Sequence, residues 1–236
     1  MEYTLSLALL DYLPVALTAI GLIAIARMVL HVNVLQGNLA FIGTILTILG
    51  GFFKATWKFV LAASNGTTDI AWMDNSLFVL MAPGYILLAW SVWQTVRTVQ
   101  RKNTIQTWYP PFAIILVMFA ASIFLYLAQP DSPAWERVLL SVMVAATIIT
   151  GIFLIVFGFR QRLPVAGWLF ILNLAGIIIL NGLARIDNQS IALQWIEEGI
   201  NTITWLAFAI AANQIYGYTR KNFGVDRENL KSVVAS

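Results

Sequence analysis

Few residues in this sequence can do chemistry, and the most conspicuous sit in the stretch GGFFKATWKF, Gly50 to Phe59, where Lys54 and Lys58 interrupt an otherwise apolar run. Four residues apart, they lie one above the other on a helix face. Their counterparts are Glu197 and Glu198 near the C-terminal end of the chain, with Asp11 and Asp74 as further carboxylates at the edges of apolar runs. Ammonium and carboxylate groups in such surroundings are costly unless they pair, hold an ion or proton, or face a wet cavity, so they mark the first place to look for a site.

Other chemistries are excluded by composition or by missing motifs. There are no cysteines, which removes disulfides, thiolate metal sites, Cys nucleophiles and palmitoylation, and the single histidine, His31, removes sites that need two. His-Glu-x-x-His, Gly-x-Gly-Asp, Gly-x-Ser-x-Gly, Walker and dinucleotide fingerprints are all absent. The chain therefore reads as a non-enzyme with no cofactor and no metal.

The elements that position these charges follow from hydropathy. Hydrophobic residues make up 60% of the chain and charged residues 11%, the composition of an integral membrane protein. Apolar runs of about 20 residues, enough to cross a hydrocarbon core of about 30 Å, occur near Leu7 to Leu30, Leu39 to Ala63, Ile70 to Val96, Pro111 to Ala128, Ala134 to Phe159, Val165 to Leu183 and Ala192 to Tyr216. Loop chemistry at Asn65-Gly66-Thr67, Gln129-Pro130-Asp131, Leu163-Pro164 and Asp187-Asn188-Gln189-Ser190 separates them. The expectation is an all-α membrane protein, a single bundle of seven transmembrane helices over residues 1–220, with a short cytoplasmic tail over 221–236. The first run lacks a preceding basic region and reads as a retained helix.

Charge asymmetry between alternate loops gives an orientation. Arg27 and His31, then Arg97, Arg101 and Lys102, then Arg160 and Arg162, then Arg220 and Lys221 fall on one side, which reads as cytoplasmic in a multi-pass protein of the cell membrane. The N-terminus is then outside and the C-terminus inside. The Asn65 and Asn188 sequons fall outside. With the second helix leaving the membrane near Ala63, Lys58 lies roughly 8 Å and Lys54 roughly 14 Å below the outer end.

Gly43, Thr47, Gly50, Lys54 and Lys58 are spaced four, three, four and four apart and form one stripe, small then polar, that should face protein. Glu198 lies at matching height and heads a second stripe through Asn201, Thr202 and Trp205, which makes it the expected partner of Lys54, with Glu197, Asp74 or Asp11 as alternatives. Asn181 and Arg185 close the outer end of the sixth helix, and Asn173 lies deeper on a similar face. Trp57, Trp72 and Trp195 sit at comparable heights. Pro83, inside the third helix, leaves the carbonyl of Val79 without its usual donor and is expected to kink the helix, an opening device for a cavity. Trp90, Trp93, Trp108 and Tyr109 read as anchors at the cytoplasmic interface.

Three family resemblances arise from these residues. Glu197-Glu198 is similar to the acidic motif of the CAAX-protease-like family, but Thr202 stands where that family has arginine and its histidines are missing. Seven helices, an outside N-terminus and 236 residues resemble a microbial rhodopsin in layout, yet no lysine lies between Ala192 and Tyr216 to carry a retinal Schiff base. Asn213-Gln214-Ile215-Tyr216 resembles the Asn-Pro-x-x-Tyr motif of G-protein-coupled receptors without its proline. None of these carries a function. The leading expectation is an outward-facing polar and aromatic cavity, built on Lys54, Lys58, Asp74, Asn181, Arg185, Glu198, Asn201 and Trp205, that binds a small molecule or ion in a sensor or transporter. The alternatives are an accessory subunit of a membrane complex, partnered by another membrane protein, and a rhodopsin-like protein lacking the retinal lysine. The lipid bilayer is a partner in every case; nucleic acid is not.

Overall fold

The computed structural model describes residues 4–102, 107–183, 186 and 190–223. Their elements, in order, are α1 (Leu5–Leu10), α2 (Tyr12–Val32), α3 (Val34–Ala63), α4 (Ala71–Val99), α5 (Tyr109–Ala128), α6 (Ala134–Arg160), α7 (Pro164–Leu183) and α8 (Ile191–Phe223). No strand occurs among the described residues. The protein is an all-α, multi-pass membrane protein. Six segments are long and apolar enough to cross a bilayer: α1 with α2 as one, then α3, α4, α5, α6 and α7. The longest helix, α8, has 33 residues but carries Gln194, Glu197, Glu198, Asn201, Thr202, Thr204, Asn213 and Gln214 and falls short on hydropathy.

What the sequence reads as one first helix is broken at Asp11. Pro14 has no N–H to offer the carbonyl of Leu10 and suits the first turn of a helix, and a new helix begins at Tyr12. The break puts the Asp11 carboxylate at a helix junction, where it is 7% exposed. The second span begins at Val34, five residues before the expected Leu39, because the Asn33 side chain accepts a hydrogen bond from the Gln36 N–H and caps the helix. Gln36, Gly37 and Asn38 end the apolar run but not the helix. In the same way α8 continues past Tyr216 to Phe223. Residues 224–236 of the expected tail, together with Arg185 and the Asn188 sequon, lie outside the described residues.

Three helices stop in the same manner. At α3 the Gly66 N–H bonds to Leu61 O and the Asn65 N–H to Ala62 O, with Asn65 at φ 50°. Arg101 after α4 and Arg162 after α6 occupy the equivalent left-handed position, each followed by a backbone bond from Lys102 to Arg97 or from Leu163 to Gly158. These are Schellman closures, which reverse the chain tightly while satisfying terminal carbonyls.

The helices form a ring. α2 packs on α3 and α8, α3 on α4, α4 on α6, α6 on α7 and α7 on α8, while α5 stands outside against α6 and α4. The α3–α4 pair is the closest. A Cβ on Gly43 would lie 2.6 Å from Gly84 O, and one on Gly84 would lie 2.5 Å from Thr47 Oγ1, so neither position has room for a side chain. Gly43, Thr47 and Gly50 are buried along this seam, the protein-facing stripe expected from their spacing. Helix α4 runs continuously through Pro83, which is buried within it. Leu22, Ile25, Met28, Leu88, Val92 and Ile215 fill the interior toward the end of the bundle that carries the arginines.

Candidate functional site

The lysines and carboxylates singled out from the sequence gather at the opposite end, between the α1–α2 junction, α3, α4 and α8. Helix α3 presents Lys54 and Lys58 one turn apart. Lys54 Nζ donates to Asp74 Oδ1, which the first turn of α4 supplies. The same ammonium stands 4.3 Å from the ring centre of Trp57, whose indole N–H donates to Asp69 Oδ1 at 2.8 Å. This pair is half-exposed, with side-chain exposures of 28% for Lys54 and 37% for Asp74.

Lys58 belongs to a more buried cluster. Its Nζ lies 2.7 Å from Asp11 Oδ2 and 3.8 Å from Glu198 Oε1, and both carboxylates are buried. Asn201 Nδ2, one turn on in α8, donates to Glu198 Oε2 at 3.3 Å. The second oxygen of Asp11, Oδ1, is buried and receives no hydrogen bond from any described residue. Tyr12, beside Asp11, donates its hydroxyl to Thr56 Oγ1 at 3.1 Å and stacks edge-on to Phe52 and Phe59, which ties the helix junction to α3.

These groups border a cavity of about 170 Å³. Asp11, Lys54, Lys58, Glu198 and Asn201 form its polar wall, and Trp205, Leu77, Met81, Val15 and Ile48 its apolar one, with Thr18 and Thr47 toward the floor. Both threonine hydroxyls donate back to their own helices, Thr18 to Pro14 O at 2.7 Å and Thr47 to Gly43 O at 2.9 Å, so each presents an oxygen lone pair or methyl group rather than a free donor. Leu77 and Met81 precede Pro83 on α4, and Gly51 on α3 opens space opposite Val15.

Of the residues singled out from sequence, Lys54, Lys58, Glu198, Asn201 and Trp205 share this cavity, and Asp74 joins it through Lys54. The expected Lys54–Glu198 pair is replaced: Lys54 takes Asp74, and Glu198 approaches Lys58. The reason is that α3 and α4 are an antiparallel hairpin, which brings residues equidistant from its turn together, whereas α8 meets α3 only across the helix junction at Asp11. Asn181 stands apart, its amide donating to Ile177 O of its own helix at 2.8 Å. Asn173 is also remote and buried, donating to Thr204 O at 3.1 Å where α7 and α8 touch. Arg185 lies outside the described residues. Asp11 acquires a larger part than its position at the edge of an apolar run indicates; the signal was Pro14, three residues on, which suits the first turn of a helix that begins after Asp11.

Comparisons with protein-family models, with curated proteins and with solved structures each return no match.

Proposed function

We propose that the protein crosses the cell membrane seven times, N-terminus outside, and that its outward-facing cavity binds a small ion or polar molecule as the receptive part of a sensor or transporter. The observation that carries this reading is the collection of Asp11, Lys54, Lys58, Glu198 and Asn201 around one open space. Charges needed only to fasten helices together would be fully paired and packed over. Here they border a void, and one carboxylate oxygen has no donor among the described residues. Size limits the ligand. A cavity of about 150 Å³ accommodates one benzene molecule, so the space here suits an ion with its waters or a molecule of similar size.

The seventh crossing is supported by the company α8 keeps. It lies between α2 and α7 along the ring, and it finds polar partners on the helices around it: Glu198 at Lys58 of α3, and the Thr204 carbonyl at Asn173 of α7. A polar helix that crosses inside a bundle needs such partners. The ring with an outlying fourth span also suits the rhodopsin-like layout, without a lysine between Ala192 and Tyr216 to hold retinal.

Because the chain has no native cysteine, single introduced thiols test the cavity directly. Gly51→Cys, on the cavity wall, should react with a small membrane-impermeant thiol reagent added outside intact cells, while Ile45→Cys, exposed on the apolar outer face of α3, should not. If Gly51→Cys stays unlabelled while a cysteine at Asn65 is labelled, the cavity is sealed and the accessory-subunit reading replaces this one.

A further inference from the structure

The ion pairs at the site do not balance. Lys54 and Asp74 cancel, which leaves one ammonium, Lys58, facing two buried carboxyl groups. Among the described residues, with all three ionised, the inner cluster carries one surplus negative charge, and a surplus charge in such surroundings is costly unless a counter-charge is supplied. The orphan acceptor is found in the same place. Asp11 Oδ2 faces Lys58, Asp11 Oδ1 has no donor among the described residues, and the Glu198 carboxyl approaches the same ammonium from α8. Two carboxylates cannot hydrogen-bond to each other. A carboxylic acid and a carboxylate can, through an O–H···O⁻ bond of the short, strong kind.

We propose that Asp11 and Glu198 hold one proton between them, so that the inner wall of the cavity is a proton-binding site whose charge changes by one unit when the proton leaves. The proton resides on Glu198, whose O–H donates to Asp11 Oδ1. Asp11 stays ionised against Lys58, at 2.7 Å, while Glu198 lies farther from that ammonium, at 3.8 Å, and accepts from Asn201. This one proton removes the surplus charge and the unsatisfied oxygen together. The charged groups facing the dyad are Lys58 and, one turn away, Lys54 on α3, with Asp74 of α4 already bound to Lys54. Tyr12 turns its hydroxyl to Thr56. Once deprotonated, the cluster would attract a monovalent cation into the cavity, so proton and cation would compete for one place. The proposal deepens the cavity reading and rests on it only for the proton's route to water.

Infrared difference spectroscopy of the full-length protein in lipid, titrated over pH, tests it. At neutral pH the wild-type protein should show the C=O stretch of a protonated carboxyl, shifted by H₂O-to-D₂O exchange and lost as the pH is raised. Glu198→Gln should remove that band and keep the melting temperature close to wild type, since its amide N–H can donate to Asp11 Oδ1 as the acid does. Asp11→Asn should shift or remove the band. The proposal is overturned if no protonated-carboxyl band is present at neutral pH, or if the band survives both substitutions unchanged. A band that behaves as expected while Gly51→Cys remains unlabelled would retain the proton site and reject the open cavity, so the two ideas fail separately.

Discussion

At the scale of single residues, the two lysines of GGFFKATWKF are alike in the sequence and unlike in the fold. Lys54 forms a half-exposed pair with Asp74 and rests near an indole, whereas Lys58 faces two buried carboxyl groups. Their removal should differ accordingly. Lys58→Met strands Asp11 and Glu198 without a cation and should destabilise by about 3 to 5 kcal/mol, the usual range for removing one member of a buried pair. Lys54→Met should change stability by about 1 kcal/mol or less, as for exposed pairs. Thermal unfolding in lipid nanodiscs measures both, and equal losses would mean that the two lysines are equally buried when the bilayer is present. The assignment of partners was partly legible beforehand. Lys54 stands ten residues before Ser64 and Asp74 ten residues after it, and a hairpin closed at that turn makes them neighbours. Height alone, used without the hairpin, favoured Glu198. No comparable arithmetic links Lys58 to Asp11, because their helices meet through a junction that depends on Pro14.

At the scale of elements, the chain's apolar runs disclose where most helices are, since hydropathy is what the bilayer itself selects. They do not disclose where a helix ends when its last turns are polar. Asn33, with its side-chain cap, and the left-handed Asn65, Arg101 and Arg162 set those ends. The stripe Gly43, Thr47, Gly50 was legible as a seam because small residues at that spacing are useful only if another backbone comes close. That partner is α4 at Pro83-Gly84, and its approach defines the wall of the cavity formed by Leu77 and Met81. Gly84→Ala places a methyl group 2.5 Å from Thr47 Oγ1 and 2.8 Å from Gly43 O; the helices must part, at a cost of about 1 to 3 kcal/mol, the usual range for overpacking. Gly217→Ala, on α8 with nothing within 4 Å of the added carbon, should instead be neutral or stabilise by about 0.5 to 1 kcal/mol through helix propensity. Melting temperatures of the two variants should move in opposite directions or, at the least, only the first should fall.

At the scale of the whole molecule, polarity is divided between the two ends of the ring. One end carries Arg27, Arg97, Arg101, Lys102, Arg160, Arg162, Arg220 and Lys221, the other the cavity with its paired charges, and an apolar interior around Met28, Leu88, Val92 and Ile215 lies between. A ligand entering the cavity therefore meets a packed barrier before the basic end. The direction in which the molecule sits then decides which compartment it samples. Arginine and lysine near span ends are retained on the cytoplasmic side, so the cavity should open outward. The turn at Asn65 and the end of α4 at Gln100 are separated by the 29 residues of that helix, about 43 Å at 1.5 Å per residue, a length sufficient to cross a bilayer. Asn65→Cys should be labelled by an impermeant maleimide on intact cells, and Gln100→Cys, which leaves every basic residue in place, only after permeabilisation. Labelling of both from outside would show that α4 does not cross. The reverse pattern would turn the bundle over, and the same cavity, with its lysines and carboxyl groups, would then face the cytoplasm and take its ligand from there.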